Sequence, residues 1–332
     1  MRTVRFGRTG AHVSAVSLGT WPHGGPSVVD DRPVGWFGTD DDEARKTLLI
    51  AHENGINHWD TADVYGNGHA ELLIGNVWDD VPRDDVFLAS KVGWDPGPYS
   101  HAYHPDQIRR QLERSLRNLK TDHLELYYFH HCDFGAKGEY LDDALAMLHR
   151  FRDQGKIRHI GLSDWDCEQI VRFADRVDPD VVQCYRNVVD DSYESSGLKS
   201  WVEAHDAGVA FFSPIKHGLL LGGFVGPVTF GVGDHRNTIP DFRDYGLITR
   251  LQTCRREMIE RFDHHAEPVL HGLIGALLSD ADTGCALLGA RRADHAHAAC
   301  KIGETLDEDD ARFVRRLYAE NGRPTRASWK MQ

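Results

Sequence analysis

The sequence predicts a single (β/α)8 barrel of the TIM type, carrying an N-terminal β-hairpin. Three observations lead there. Eight short apolar runs recur along the chain, each is followed by a stretch long enough for a crossover helix, and no Pro/Gly/Ser-rich linker divides the 332 residues into two bodies. The runs lie at 16–19, 57–59, 86–90, 124–129, 159–162, 181–184, 210–212 and 286–288. Several are nearly all apolar, as parallel strands buried on both faces must be. Ahead of the first run, residues 4–13 place Gly7 and the Thr9-Gly10 pair between short β-prone pieces, which reads as the appended hairpin. Between runs, residues 41–54 carry Leu48, Leu49 and Ala51 as apolar positions, and 105–119 set Ile108, Leu112, Leu116 and Leu119 at helical spacing. The stretch 219–245 breaks this regularity, with Gly222, Gly223, Gly226, Gly231 and Gly233 and no apolar period. A structureless loop of that length usually carries function.

Hydrophobic residues at 41% and charged residues at 27% match ordinary globular usage, which excludes a disordered or low-complexity chain. Lys+Arg 38 against Asp+Glu 51 leaves a net charge of −13, a sign that repels phosphate backbones and anionic lipid surfaces. Neither nucleic acid nor a membrane is therefore an expected partner, and oligomeric state is left open. The opening MRTVRFGRTG has no apolar segment behind its charges, and no run of about 18 apolar residues occurs. Six cysteines, Cys132, Cys167, Cys184, Cys254, Cys285 and Cys300, are scattered without a CxxC pair. Reduced thiols in a cytoplasmic protein are the expectation.

Active sites of such barrels lie where the strands end, so the polar residues after each apolar run deserve inspection. Asp60 follows the second run, with Tyr65 five residues on in WDTADVYGNGHAE; Lys91 closes the third in FLASKV; His130 closes the fourth in LYYFHH. Each alone reads as ordinary: a helix cap, a surface tyrosine, a solvated lysine, a satisfied histidine. Together at one mouth they allow specific chemistry. A buried Lys beside a Tyr pulls the phenol pKa down from about 10, and an Asp paired with that Lys keeps it charged. His then orients or polarises a carbonyl. The set makes a proton donor beside a carbonyl site, with no nucleophile and no metal cage.

The chain resembles the aldo-keto reductases along nearly its whole length, through VRFGRTGAHVSAVSLGTW, NHWDTADVYGNGHAELLIG, FLASKV, LELYYFHH, GKIRHIGLSDW, VVQCYRN, FFSPIKHGLL and ALLGARRADH in order. The resemblance implies a barrel without a Rossmann domain, NAD(P)H bound in extended form at the strand ends, and reversible carbonyl reduction of a small-molecule substrate. The family's catalytic tetrad falls on Asp60, Tyr65, Lys91 and His130; His131 is left at most a substrate contact. By motif, Ser163, Asp164 and Gln183 hold the nicotinamide carboxamide and Phe212 stacks on the ring. Ser213, Ile215, Gly218 and Leu219 approach the pyrophosphate, with the 219–245 loop and its Arg236 folding over it. Gly289, Arg291, Arg292 and His295 meet the ribose and adenine. The family leans to NADP(H) over NAD(H), and Arg291 with Arg292 suits a 2′-phosphate.

Departures from the family pattern bear on the cofactor more than on fold or reaction. Asp164 stands for the usual asparagine, Gly223 for a lysine, His295 and Ala299 for expected adenine-end partners, and Glu125 for a frequent aspartate. A two-domain dehydrogenase would need a GxGxxG turn, and the nearest match, Gly231-Val-Gly233, ends in Arg236. A metal hydrolase is disfavoured because neither His264-His265 nor His295-Ala-His297 comes with strand-end carboxylates. The alternative function is a cofactor-sensing binding subunit of the same fold, with slow turnover. Trp21 and Trp94, after the first and third runs, would line an aromatic pocket able to stack a sugar face or an aryl aldehyde. Residues 132–140 and the tail after Asn321 are further substrate-loop candidates.

Overall fold

The computed structural model describes residues 1–29, 31–38 and 40–323, so most of the tail after Asn321 lies outside the described residues. Strands β1 (Thr3–Arg5) and β2 (His12–Ser14) pair antiparallel as the N-terminal hairpin. The barrel is built from β3 (Val16–Gly19), then, after a second hairpin of β4 (Val28–Val29) and β5 (Arg32–Pro33), β6 (His58–Asp60), β7 (Phe87–Val92), β8 (Leu124–Phe129), β9 (Ile157–Asp164), β10 (Val181–Tyr185), β11 (Gly208–Phe212) and β12 (Gly284–Leu288). These eight strands are parallel and close in sequence order, β12 pairing back onto β3. All eight apolar runs are therefore strands. Their ends move by a few residues: Asp60 is the last residue of β6 and Lys91 lies inside β7.

The crossovers are α1 (Asp41–Glu53), α2 (His69–Gly75), α3 (Pro105–Asn118), α4 (Leu141–Asp153), α5 (Cys167–Val177), α6 (Ser192–Ser195), α7 (Leu198–Ala204), α8 (Tyr245–Arg261), α9 (Pro268–Leu278) and α10 (Ala293–Ala299), with α11 (Glu308–Asn321) packing on α8 and α9. Asp40, Asp166, Asp244 and Asp307 cap α1, α5, α8 and α11, each accepting a backbone N–H that the first turn leaves unpaired. A cap of this kind contributes about 0.5–2 kcal/mol. Part of the acidic excess is thus spent on helix starts.

Burial of the strand side chains on both faces supplies the core, each Leu, Ile or Val contributing about 1.5–3 kcal/mol. Tyr128 fills the barrel beside Gly161, where a Cβ would stand 2.2 Å from the tyrosine ring. The N-terminal hairpin closes the opposite end from the site: Phe6 packs on His58 and Phe87, at the starts of β6 and β7. The 219–245 stretch is irregular as expected, with short 3-10 turns at Lys216–Leu221, His235–Thr238 and Pro240–Arg243. It buries Leu219, Leu220 and Phe242 in a second apolar cluster with Leu251, Met258 and Tyr318. The β4–β5 hairpin, which the sequence reading missed, docks on this loop through a parallel bridge between Gly35 and Asp234.

Candidate active site

The carboxy-terminal ends of β6, β7 and β8 bring Asp60, Lys91, His130 and Tyr65 together. Lys91 is sealed from solvent and its Nζ donates to Asp60 Oδ1 at 2.5 Å, to the Thr61 carbonyl at 2.7 Å and to the Tyr65 hydroxyl at 3.2 Å. Gln183 Nε2 donates to the other Asp60 oxygen at 2.8 Å, so both carboxylate oxygens are engaged. Thr20 fixes the Asp60 backbone, its N–H and hydroxyl both donating to the Asp60 carbonyl. The His130 ring stands edge-on to Tyr65 with centroids 5.8 Å apart, its Nδ1 buried without a hydrogen-bond partner among the described residues.

Electrostatics sort these groups into donor and acceptor. Burial works to lower the Lys91 ammonium, but Asp60 and Tyr65 together outweigh it and the net movement is upward, so the lysine is charged. Burial, aided by the Lys91 charge, holds His130 well below the ordinary imidazole range, and it is neutral. Tyr65 corrects the sequence expectation. Lys91 does pull the phenol down, yet burial is the larger effect, Asp60 and Asp63 add to it, and the net direction is up. The phenol therefore holds its proton at neutral pH.

Around this cluster, Trp21 stacks on Tyr65 at 6.0 Å and the 53% exposed Trp94 stands edge-on to His130 at 6.0 Å, so both tryptophans border the mouth. His131 has both ring nitrogens committed to backbone, Nε2 to the Gly93 carbonyl at 2.7 Å and Nδ1 to the Asp133 N–H at 3.1 Å. It offers a substrate packing surface at most, not a free polar atom.

The chain belongs to the aldo/keto reductase family. A profile of that family matches residues 15–319. The chain is 28% identical over 310 residues to aldo-keto reductase YhdN of Bacillus subtilis, covering 92% of this chain and 90% of that one. It is also 28% identical over 238 residues to an NADH-specific methylglyoxal reductase of Escherichia coli, covering 67% and 70%. Among solved structures, a glycerol dehydrogenase from Gluconobacter oxydans superposes with a TM-score of 0.79 at 25% identity, covering 99% of both chains. As a member of the family, the protein is an NAD(P)H-dependent oxidoreductase.

The residues expected at the reductase's cofactor line the same mouth with mixed availability. Ser163 and Gln183 sit side by side in register on β9 and β10. Asp164 accepts backbone N–H groups from Cys132 at 2.7 Å and Asp166 at 2.8 Å, which ties its carboxylate to the loop after β8. Phe212, half-buried, meets Trp165 edge-on at 4.7 Å. Ser213 opens a loop in which it, Lys216, His217 and Gly218 all have positive φ; Ile215 is half-buried and Leu219 turns its side chain into the second core cluster. This set, a side-by-side Ser and Gln pair, an aromatic ring and a half-buried loop of positive-φ residues, fits a nicotinamide dinucleotide.

Arg236, expected in the loop over the pyrophosphate, is held within that loop. Its Nε and one terminal nitrogen both bind the buried Asp234 carboxylate, at 2.9 and 2.6 Å, and its guanidinium lies over the Phe230 ring at 3.7 Å. It fastens the 219–245 loop instead of reaching outward. Arg291 lies over Trp36 at 5.7 Å and donates to the Phe37 carbonyl, while Arg292 pairs with Asp294 and meets His295 Nε2 at 3.0 Å. Gly289 packs against Pro22. Trp36, His217 and His235, which extend the aromatic wall from Trp21, were not anticipated; the Trp36-Phe37 pair downstream of the Val28–Val29 run was the available signal.

Proposed function

We propose that this strand-end cluster carries out reversible reduction of an aldehyde or ketone, with Tyr65 as proton donor. The observation that carries the reading is Lys91 Nζ placed between Asp60 Oδ1 and the Tyr65 hydroxyl. A bound nicotinamide supplies the hydride in reduction and takes it back in oxidation. Tyr65 gives its proton to the carbonyl oxygen, because an uncompensated alkoxide in a dry pocket is costly. Lys91 stabilises the phenolate left behind, Asp60 keeps Lys91 charged, and Gln183 holds Asp60. Neutral His130 orients the carbonyl, and Trp21 and Trp94 offer flat apolar faces to the rest of the substrate. Ser163, Gln183 and Phe212 would hold the nicotinamide.

The proposal extends to a preference for NADP(H) over NAD(H). The Arg292–Asp294 pair is about half exposed on both sides, and such pairs are worth about 0–1 kcal/mol. A 2′-phosphate, with close to two negative charges and charge-assisted hydrogen bonds of about 1.5–3 kcal/mol, outcompetes it. Steady-state assay of Tyr65→Phe with several aldehydes tests the donor role: kcat should fall by about 10²-fold or more with cofactor affinity kept. Unchanged kcat would remove Tyr65 from the mechanism. Turnover by the parent protein also separates this reading from a cofactor-sensing role.

A further inference from the structure

The turn that carries Tyr65 runs from the end of β6 to the start of α2 and is held from three sides. Lys91 takes the Thr61 carbonyl at its entry. On one flank Gly66 meets Gly24 so closely that a Cβ on Gly66 would stand 2.2 Å from the Gly24 carbonyl oxygen. On the other flank Arg114 reaches over from α3: one terminal nitrogen donates to the Asp63 carbonyl at 2.9 Å, the other to Asn67 Oδ1 at 3.0 Å. Those two acceptors stand two residues before and two residues after Tyr65.

We propose that Arg114 is a positioning residue for the reaction, a clasp that bridges both ends of the Tyr65 turn and sets where the phenol hydroxyl stands relative to Lys91 and the carbonyl. The planar guanidinium is what the task requires, since its two terminal nitrogens diverge at a fixed angle and a lysine ammonium on a flexible stem cannot span both acceptors in the same way. The clasp acts where catalysis is most sensitive to geometry. Asn67 has φ +55°, a left-handed conformation that the turn must maintain against its intrinsic preference, and its side chain is one of the two points Arg114 holds. Arg114 is half-buried, with its Nε sealed from solvent, and the guanidinium also lies among the buried carboxyls of Asp63 and Glu71. Nothing in this arrangement touches the substrate or the cofactor residues, so the arginine acts through Tyr65.

The inference rests on the donor role proposed for Tyr65, and a double-mutant cycle keeps the two apart. Arg114→Lys and Asn67→Ala are made in the parent and in Tyr65→Phe, and kcat, substrate KM and cofactor Kd are measured for each; Asn67→Ala removes one limb at an exposed position and leaves Arg114 in place. In the parent background both variants should lower kcat by about tenfold, a fraction of the about 10²-fold that a 1 Å misplacement costs, with cofactor Kd unchanged. In the Tyr65→Phe background the same changes should alter kcat by less than about twofold, because a clasp has nothing to position once the hydroxyl is gone. Equal losses in both backgrounds, or unchanged kcat in both parent-background variants, would overturn the clasp. Failure of the donor reading shows elsewhere, as Tyr65→Phe retaining full activity while the Arg114 and Asn67 changes still reduce it.

Discussion

Replacing Lys91 with methionine removes the cation that joins Asp60, Thr61 and Tyr65, and the structure sets the scale of three separate effects. The first is on stability. Asp60, with a side chain only 4% exposed, keeps Gln183 as a donor but loses its ion partner at 2.5 Å. Breaking a buried pair by removing one member costs about 3–5 kcal/mol. Asp60→Asn added to Lys91→Met should recover most of that loss, because no unpaired charge then remains. The second effect is on rate. The Lys91 bond to the Tyr65 oxygen strengthens as the phenolate forms, and a hydrogen bond to a charged group is worth about 1.5–3 kcal/mol, or roughly 10- to 150-fold in kcat. The third is on pH dependence. With Lys91 gone, burial acts on the phenol unopposed, and the Tyr65 titration moves further above its ordinary value. Alcohol oxidation needs the phenolate as base, so the alkaline limb of its pH–rate profile should shift upward. Chemical denaturation of the single and double variants reads the stability effect; oxidation rates across the alkaline range read the other two. A Lys91→Met enzyme with the parent's oxidation profile would refute the reasoning, whatever its stability.

That these four residues meet was legible because each member follows or ends an apolar run, and strand ends share one face of a barrel whatever the loops do. Asp60, Lys91 and His130 needed no knowledge of partners beyond that placement. The Tyr65 shift was not legible in the same way: a charge pair can be read from sequence, but the desolvation that outweighs it comes from packing by residues distant in sequence, Trp21 among them. The β4–β5 hairpin escaped because two-residue strands are too short to show alternation. Arg236 reads as an outward cation until Asp234, two residues earlier in the same turn, is seen to take its Nε and one terminal nitrogen. Arg114 was hidden for a related reason. On a helix whose periodicity is carried by Ile108 and Leu112, an arginine looks like part of the solvated face, and only the tertiary approach of the β6–α2 turn gives it partners.

Cofactor choice is open to direct measurement: fluorescence titration should show NADPH bound about 10- to 100-fold more tightly than NADH, and Arg291→Ala with Arg292→Ala should abolish the difference. A preference that survives the double variant would rule out the charge argument. Activity should persist after dialysis against EDTA, since proton donation by Tyr65 and hydride transfer need no metal; loss of turnover restored by zinc would contradict this. His130 is neutral through the neutral range, so the acid side of the reductive kcat profile should show no limb near the ordinary imidazole pKa, and a limb there that vanishes in His130→Gln would reverse the assignment. The last prediction concerns Asp63, whose sealed carboxyl is pushed well above the ordinary carboxylate range by burial first and the Glu71 charge next, against the opposing pull of Arg114. A carboxyl with a raised folded-state pKa favours folding below its unfolded value of about 3.9, and that contribution is lost as pH rises through the folded value. Asp63→Asn keeps the shape and removes the titration. Its stability relative to the parent should therefore increase as pH is raised above about 4 and level off only once pH passes the folded-state value, read as the difference in denaturation midpoint at each pH. A difference independent of pH would show that folding leaves the Asp63 pKa unshifted, and one that grows toward acid would show that its charged form is stabilised in the folded protein, with Arg114 outweighing burial.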